Sequence, residues 1–196
     1  MNTEEKLQAK QMFQERLHSL SNDAKRAYWK IEGVASSPFP IAMYIFATID
    51  YFSSFWAGWN NWENRSEAEK KSKRSQTDRI VDFMERYLLY PKRNSKIAIT
   101  IWRHKLMHTG EPRLLKSKDK DEYYGWLIDV ETTRHMHLVG LNKKEYQLQV
   151  GVFNLIKDLQ DAIFSSNGYF VELLKEKELQ RKWIIFKKEL SEYRIN

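Results

Sequence analysis

Arg103, His104 and His108 are the residues whose types and spacing could carry out chemistry in this chain. His104 and His108 stand one helical turn apart, so on a helix both imidazoles share a face. Arg103 points elsewhere on an ideal helix, but its long side chain can fork round towards a phosphate held in common. A guanidinium fixes phosphate through paired hydrogen bonds and stabilises charge developing on it. An imidazole gives or takes a proton near neutral pH. Those two roles suffice to cleave RNA without a metal. A base removes the ribose 2′-hydroxyl proton, the oxygen attacks the adjacent phosphorus, and an acid protonates the departing 5′ oxygen. The sequence carries no glycine-rich phosphate loop, nucleophile elbow or His-Glu-x-x-His to compete with this reading.

Three other groups of residues invite chemistry. His135 and His137 alternate on one face of a predicted strand, a spacing that metals accept, as they accept two histidines four apart on a helix. A histidine-bound zinc or nickel is therefore an alternative, against which stands the ordinary exposed strand histidine. Asp50 lies in the middle of an apolar segment and needs a partner if buried. Arg103 or His104 is one candidate, and a tyrosine such as Tyr87 or Tyr90 the other. Trp56, Trp59 and Trp62 could stack on bases, or could cover a helix end through core contacts.

The elements that must position these residues are mainly helices. A chain of 196 residues, 42% apolar and 14% aromatic, is the size of one domain and can bury a core. Seven glycines and four prolines are too few for a fold of many short strands. The absence of cysteine excludes disulfides, thiolate metal sites and thiol nucleophiles, and is compatible with a cytoplasmic protein. The N-terminus lacks the basic-then-apolar order of a secretory signal. A net charge of +7 leans towards RNA or DNA before membrane, although a basic surface can also be neutral in function.

Apolar spacing predicts a helix over 3–32 with Phe13, Leu17, Leu20, Ala24, Tyr28 and Ile31 inward, capped at Thr3 and stopped by Gly33. A second, over 40–57, opens on Pro40 and is the most apolar. Asp50 in its middle argues for a buried central helix over a membrane span. Residues 60–78 form a charged connection containing Lys70, Lys71, Lys73 and Arg74. Helices follow over 77–90, with Ile80, Phe83, Met84, Tyr87 and Leu88 inward, and 95–109, capped at Asn94 or Ser95 and burying Ile97, Ala98, Ile101 and Trp102. From 123 to 150 the period changes to alternation, which predicts a small antiparallel meander with turns near 131–133 and 141–144. Helices return over 151–165 and 168–192, with Leu190 among the inward residues.

Arg103-His104-Lys-Leu-Met-His108, late on a helix and followed by Thr-Gly-Glu-Pro-Arg113, resembles the signature of HEPN domains. The specific likeness covers about 97–113; the helical pattern covers most of the chain. The resemblance implies an up-and-down helical bundle that dimerises, bringing two copies of the motif into one cleft, with the β-meander as an insertion. It implies a metal-independent endoribonuclease of a toxin or defence type, needing no cofactor and held in check by an antitoxin partner. Arg103 would bind phosphate, His108 would be the catalytic histidine and His104 the intervening polar residue, with Lys105, Arg113 and Lys116 steering RNA and Asp50 in support. Other members keep the fold without catalysis. In that alternative the motif caps a helix and holds a dimer seam.

Overall fold

Asn2 starts the first helix, one residue before the expected cap. Its side chain accepts the Glu5 amide at 2.8 Å while the Glu5 carboxylate accepts the Asn2 amide at 2.8 Å, a reciprocal capping box. The computed structural model describes residues 1–29, 38–59, 75–106 and 114–192. Within them α1 spans Thr3–Trp29. It buries Phe13, Leu17, Leu20 and Ala24 of the stripe read from spacing, together with Ala9. The end of α1 expected at Gly33, Ile31 and the side chain of Tyr28 lie outside the described residues.

Helix α2, Phe39–Ala57, carries Pro40 in its first turn and ends at Gly58, whose φ of 82° is left-handed and whose amide bonds back to Ser54 O at 2.8 Å. A Cβ at Gly58 would sit 3.0 Å from Lys182, so glycine serves here both for its conformation and for the close approach of a later helix. Ile45, Phe46, Ile49, Phe52 and Phe55 make α2 the centre of the core. Among the described residues, no helix is long and apolar enough to cross a membrane.

Helix α3, Gln76–Tyr87, begins with a Ser75–Asp78 capping box and buries Ile80, Phe83, Met84 and Tyr87 as expected. It stops earlier than 90, where Leu89 takes a left-handed φ of 58° and Pro91 follows. Helix α4, Lys92–Thr100, starts directly after Pro91 with no side-chain cap. The two expected caps are used otherwise, since Ser95 is buried and Asn94 donates to Met136 O at 2.8 Å. Nor does α4 run on to 109. At Ile101 it gives way to a π-helix, Ile101–Leu106.

The inserted strands are not a simple antiparallel meander. Strands β1 (Leu115–Lys116), β2 (Tyr123–Asp129), β3 (His137–Gly140) and β4 (Glu145–Gly151) form one sheet in the order β1-β2-β4-β3. β2 and β4 are parallel, with Tyr124 beside Tyr146, Trp126 beside Leu148 and Ile128 beside Val150. β3 turns back on β4 antiparallel through the expected turn near 141–144 and lies at the sheet edge. The alternation set the faces correctly, but period two carries no information on strand direction. The sheet packs on the helices through Trp126, stacked 5.2 Å from Phe46, which also stacks 6.1 Å from Trp102 of the π-helix.

The chain closes with α5 (Val152–Phe164), α6 (Tyr169–Lys175) and α7 (Lys177–Glu192). The helix expected over 168–192 is thus two, divided where Glu176 adopts an extended backbone, and Leu190 lies outward, 41% exposed. Helices and sheet contribute to one apolar core. Phe13 of α1 meets Phe52 at 5.2 Å and Tyr169 at 5.7 Å. Tyr169 is completely buried against Phe83 and Tyr87, and its hydroxyl has no hydrogen-bond partner among the described residues. A buried hydroxyl without a partner costs more than its removal. Tyr169→Phe is therefore expected to stabilise the fold by about 1 kcal/mol, seen as a higher urea midpoint at unchanged slope. A lower midpoint would show that the hydroxyl is bonded.

Candidate functional site

The predicted site residues divide three ways. Arg103 stands on the π-helix, half-buried, and donates from its guanidinium to the Gln76 side chain in the first turn of α3. Lys116 lies on β1, exposed. His108 and Arg113 lie outside the described residues, as do the side chains of His104 and Lys105, whose backbone belongs to the π-helix. Trp62, Lys70, Lys71, Lys73 and Arg74 are outside them too.

Lys116 lines one feature, and the neighbours of the Gln76 that Arg103 holds line it too. An open cleft of about 750 Å³ runs between the start of α3, the outer face of α4 and β1. Ser75 and Thr77, on either side of the Gln76 that Arg103 grips, line it. So do Lys116 and three basic residues that sequence reading left unassigned, Arg93, Lys96 and Lys118. Their signal was present but common. Arg93, Lys96 and Arg103 follow helical spacing on one side of α4 and its continuation, a pattern that any solvated helix face can show.

Among the described residues, Asp50 does not pair with Arg103, Tyr87 or Tyr90, and the His104 side chain lies outside them. It forms an ion pair with Arg79 of α3. Arg79 is 1% exposed, donates to Trp59 O at 2.5 Å, and places its guanidinium 4.8 Å from the Trp59 ring centre. The reason lies in the helix period. Arg79 is four residues before Phe83 and eight before Tyr87, so it sits on the apolar stripe of α3 and must find a carboxylate inside. Trp59, 3% exposed, is thereby a core residue, and Trp56 packs beside Phe83 and Tyr87. Neither is an open stacking platform.

His135 is also placed differently from expectation. It occupies the turn before β3, not one strand face shared with His137, because Met136 between them is left-handed with φ 55°. His135 Nδ1 accepts the Gly151 amide at 3.0 Å, which leaves the ring proton on Nε2, 2.9 Å from the Tyr90 hydroxyl oxygen. The Tyr90 hydroxyl in turn donates to the Asp158 carboxylate at 2.6 Å. Burial pushes the His135 pKa down to about 4, against a partial opposing pull from Asp158. Burial and then the Asp158 bond push the Tyr90 hydroxyl far above its ordinary range. With both ring nitrogens committed, His135 has no lone pair for a metal. Among the described residues, no group of three histidine or carboxylate side chains is placed to hold one.

Tyr90 and Asn94 fasten α4 to the sheet at one end, and Arg93 donates to the Tyr124 hydroxyl at 2.9 Å beside the cleft. The wall that carries Lys96 is thus fixed from both the helical and the sheet side. Set against protein-family models, curated proteins and solved structures, the chain matches none of them.

Proposed function

We propose that this chain is a HEPN-like RNA-binding protein acting as a metal-independent endoribonuclease, with Arg103 as phosphate clamp and His108 as acid or base. The observation that carries the reading is the basic cleft lined by Arg93, Lys96, Lys116 and Lys118, whose edge at Ser75 and Thr77 flanks the Gln76 that Arg103 holds. A phosphate contact for Arg103 then lies next to a basic path that can bring RNA to it.

Arg103 stands on a π-helix, and π segments recur at functional sites. Asp50 is removed from the catalytic set, since its carboxylate serves Arg79.

A homodimer presenting two motifs in one cleft, an antitoxin partner and a cytoplasmic setting belong to the same proposal. The test uses purified chain and mixed RNA in chelator, with Arg103→Ala and His108→Ala alongside. Cleavage by the native chain and none by either variant is the expected result. Equal cleavage by all three, or by none, overturns the nuclease.

One observation favours the non-catalytic alternative. The Arg103–Gln76 bond joins the π-helix to α3 and is a sufficient architectural use of the arginine. On that reading Arg103→Ala lowers the melting temperature while RNA remains uncut by any form.

A further inference from the structure

We infer that the cleft between α4 and β1 is a phosphate track, holding single-stranded RNA by its backbone without reading its bases. The inference rests on the RNA reading above and adds to it the ligand part recognised and the residues that recognise it.

Two rows of cations face one another across the cleft. On α4, Arg93 and Lys96 are three apart and Thr100 follows four further on, so they succeed each other along one helix face that leads to Arg103. On the opposite wall Lys116 of β1 and Lys118 of the bend that follows it both line the cleft. Four cations meet two acids, Asp78 and Asp119. Asp78 is turned to the Ser75 amide and hydroxyl, at 2.9 and 2.7 Å. Lys96 and Lys118 have no acidic partner among the described residues. The pair made by Lys116 with Asp121 at 3.7 Å is long and exposed, and that of Arg93 with Glu122 at 3.6 Å is long with the arginine exposed, so a phosphate can compete for both cations. Positive charge on both walls of an open channel suits an extended polyanion threaded between them.

Among the described residues the cleft offers no open ring on which a base could stack. Tyr124 is the aromatic residue among them that lines it, and it is buried. Its ring already stacks 5.6 Å from Tyr146 and carries Arg93 at 5.6 Å, while its hydroxyl is held by Arg93 and Glu122. An occupied ring offers no face for stacking a base.

The test is fluorescence anisotropy of the full chain with labelled oligo-U, oligo-A and oligo-C, and with inorganic polyphosphate as competitor, across a salt series. Affinities within about threefold of each other are expected, as is displacement by polyphosphate. With three or four phosphates contacted, the slope of log K against log salt should be about −2 to −3. Lys96→Glu and Lys118→Glu should each weaken all three oligonucleotides about tenfold and flatten the slope by about 0.7. Both residues are exposed, and an unchanged melting temperature confirms folding.

A preference for one base above tenfold overturns the inference. So does native affinity in both lysine variants, and if Arg103→Ala then still loses binding, the RNA reading survives without the cleft. Lysine-dependent polyphosphate binding with no RNA binding sinks the RNA reading and with it the track's assigned ligand, leaving an anion cleft.

Discussion

Asp50→Ala is expected to cost about 3–5 kcal/mol of folding stability, towards the lower end of that range. The loss arises at Arg79 and not at the truncated position. Arg79 is 1% exposed and carries a permanent charge, so removing Asp50 takes away a carboxylate with which that charge is paired inside the fold. The Trp59 carbonyl and ring remain as partners but carry no full negative charge. Asp50 itself is 26% exposed, so water entering the vacated space recovers part of the cost. Against a total stability of about 5–15 kcal/mol for a domain of this kind, that is a large share. The double variant Asp50→Ala, Arg79→Met removes both charges and should regain most of the loss, because an ion pair in the interior is seldom better than a well-packed apolar pair. Urea unfolding of the four proteins in a double-mutant cycle measures the coupling. A single variant within about 0.5 kcal/mol of the native chain would show that Asp50 does not compensate Arg79.

Acidification is expected to weaken the fold through His135 by about 3 kcal/mol. In the folded chain burial holds this imidazole neutral down to about pH 4, whereas an unfolded chain protonates it near its ordinary 6.5. Above pH 6.5 neither state binds the proton and His135 contributes no slope. Between 6.5 and about 4 the unfolded state holds a proton that the native state lacks, so stability falls as pH falls. Below about 4 both states are protonated and this contribution levels off. Protonation at Nδ1 would also turn a donor towards the Gly151 amide and break the junction between β4 and α5. Denaturant titrations at pH 7, 6, 5 and 4 on the native chain and on His135→Gln should show the slope largely lost in the variant. Parallel pH dependences would mean that carboxylates, and not this histidine, control acid unfolding.

Much of the helical framework was legible because burial repeats with the helix period. Phe13, Leu17 and Leu20, or Ile80, Phe83 and Met84, lie where spacing put them. Leu190 fits the same spacing yet faces outward, since periodicity marks a face without saying how far along the helix a neighbour extends. Caps were less legible. Thr3, Asn94 and Ser95 are all good capping residues, but Asn2 had Glu5 to complete a reciprocal pair, and Pro91 fixed the start of α4 earlier. The parallel register of β2 and β4 was hidden because alternation looks the same in either direction. The change to π winding at Ile101 left no mark in a sequence that continues a helical pattern. At the site, Arg103 and Lys116 stood out by type and motif, whereas Arg93, Lys96 and Lys118 look like ordinary solvated lysines and arginines until tertiary structure sets them across a cleft. Arg79 could have been found, because an arginine in phase with Phe83 and Tyr87 has to bury its charge.

The contact of Phe13 with Tyr169 and Phe170 has a consequence for biosynthesis. Phe52 and Phe55 of α2 follow Phe13 by about 40 residues, but Tyr169 and Phe170 follow it by about 150. At about 5–20 residues per second the side of the stripe that they cover stays open for roughly 8–30 s. During that interval α1 is a ready client for whatever shields greasy segments at the ribosome exit, and this part of the core seals only once α6 has emerged.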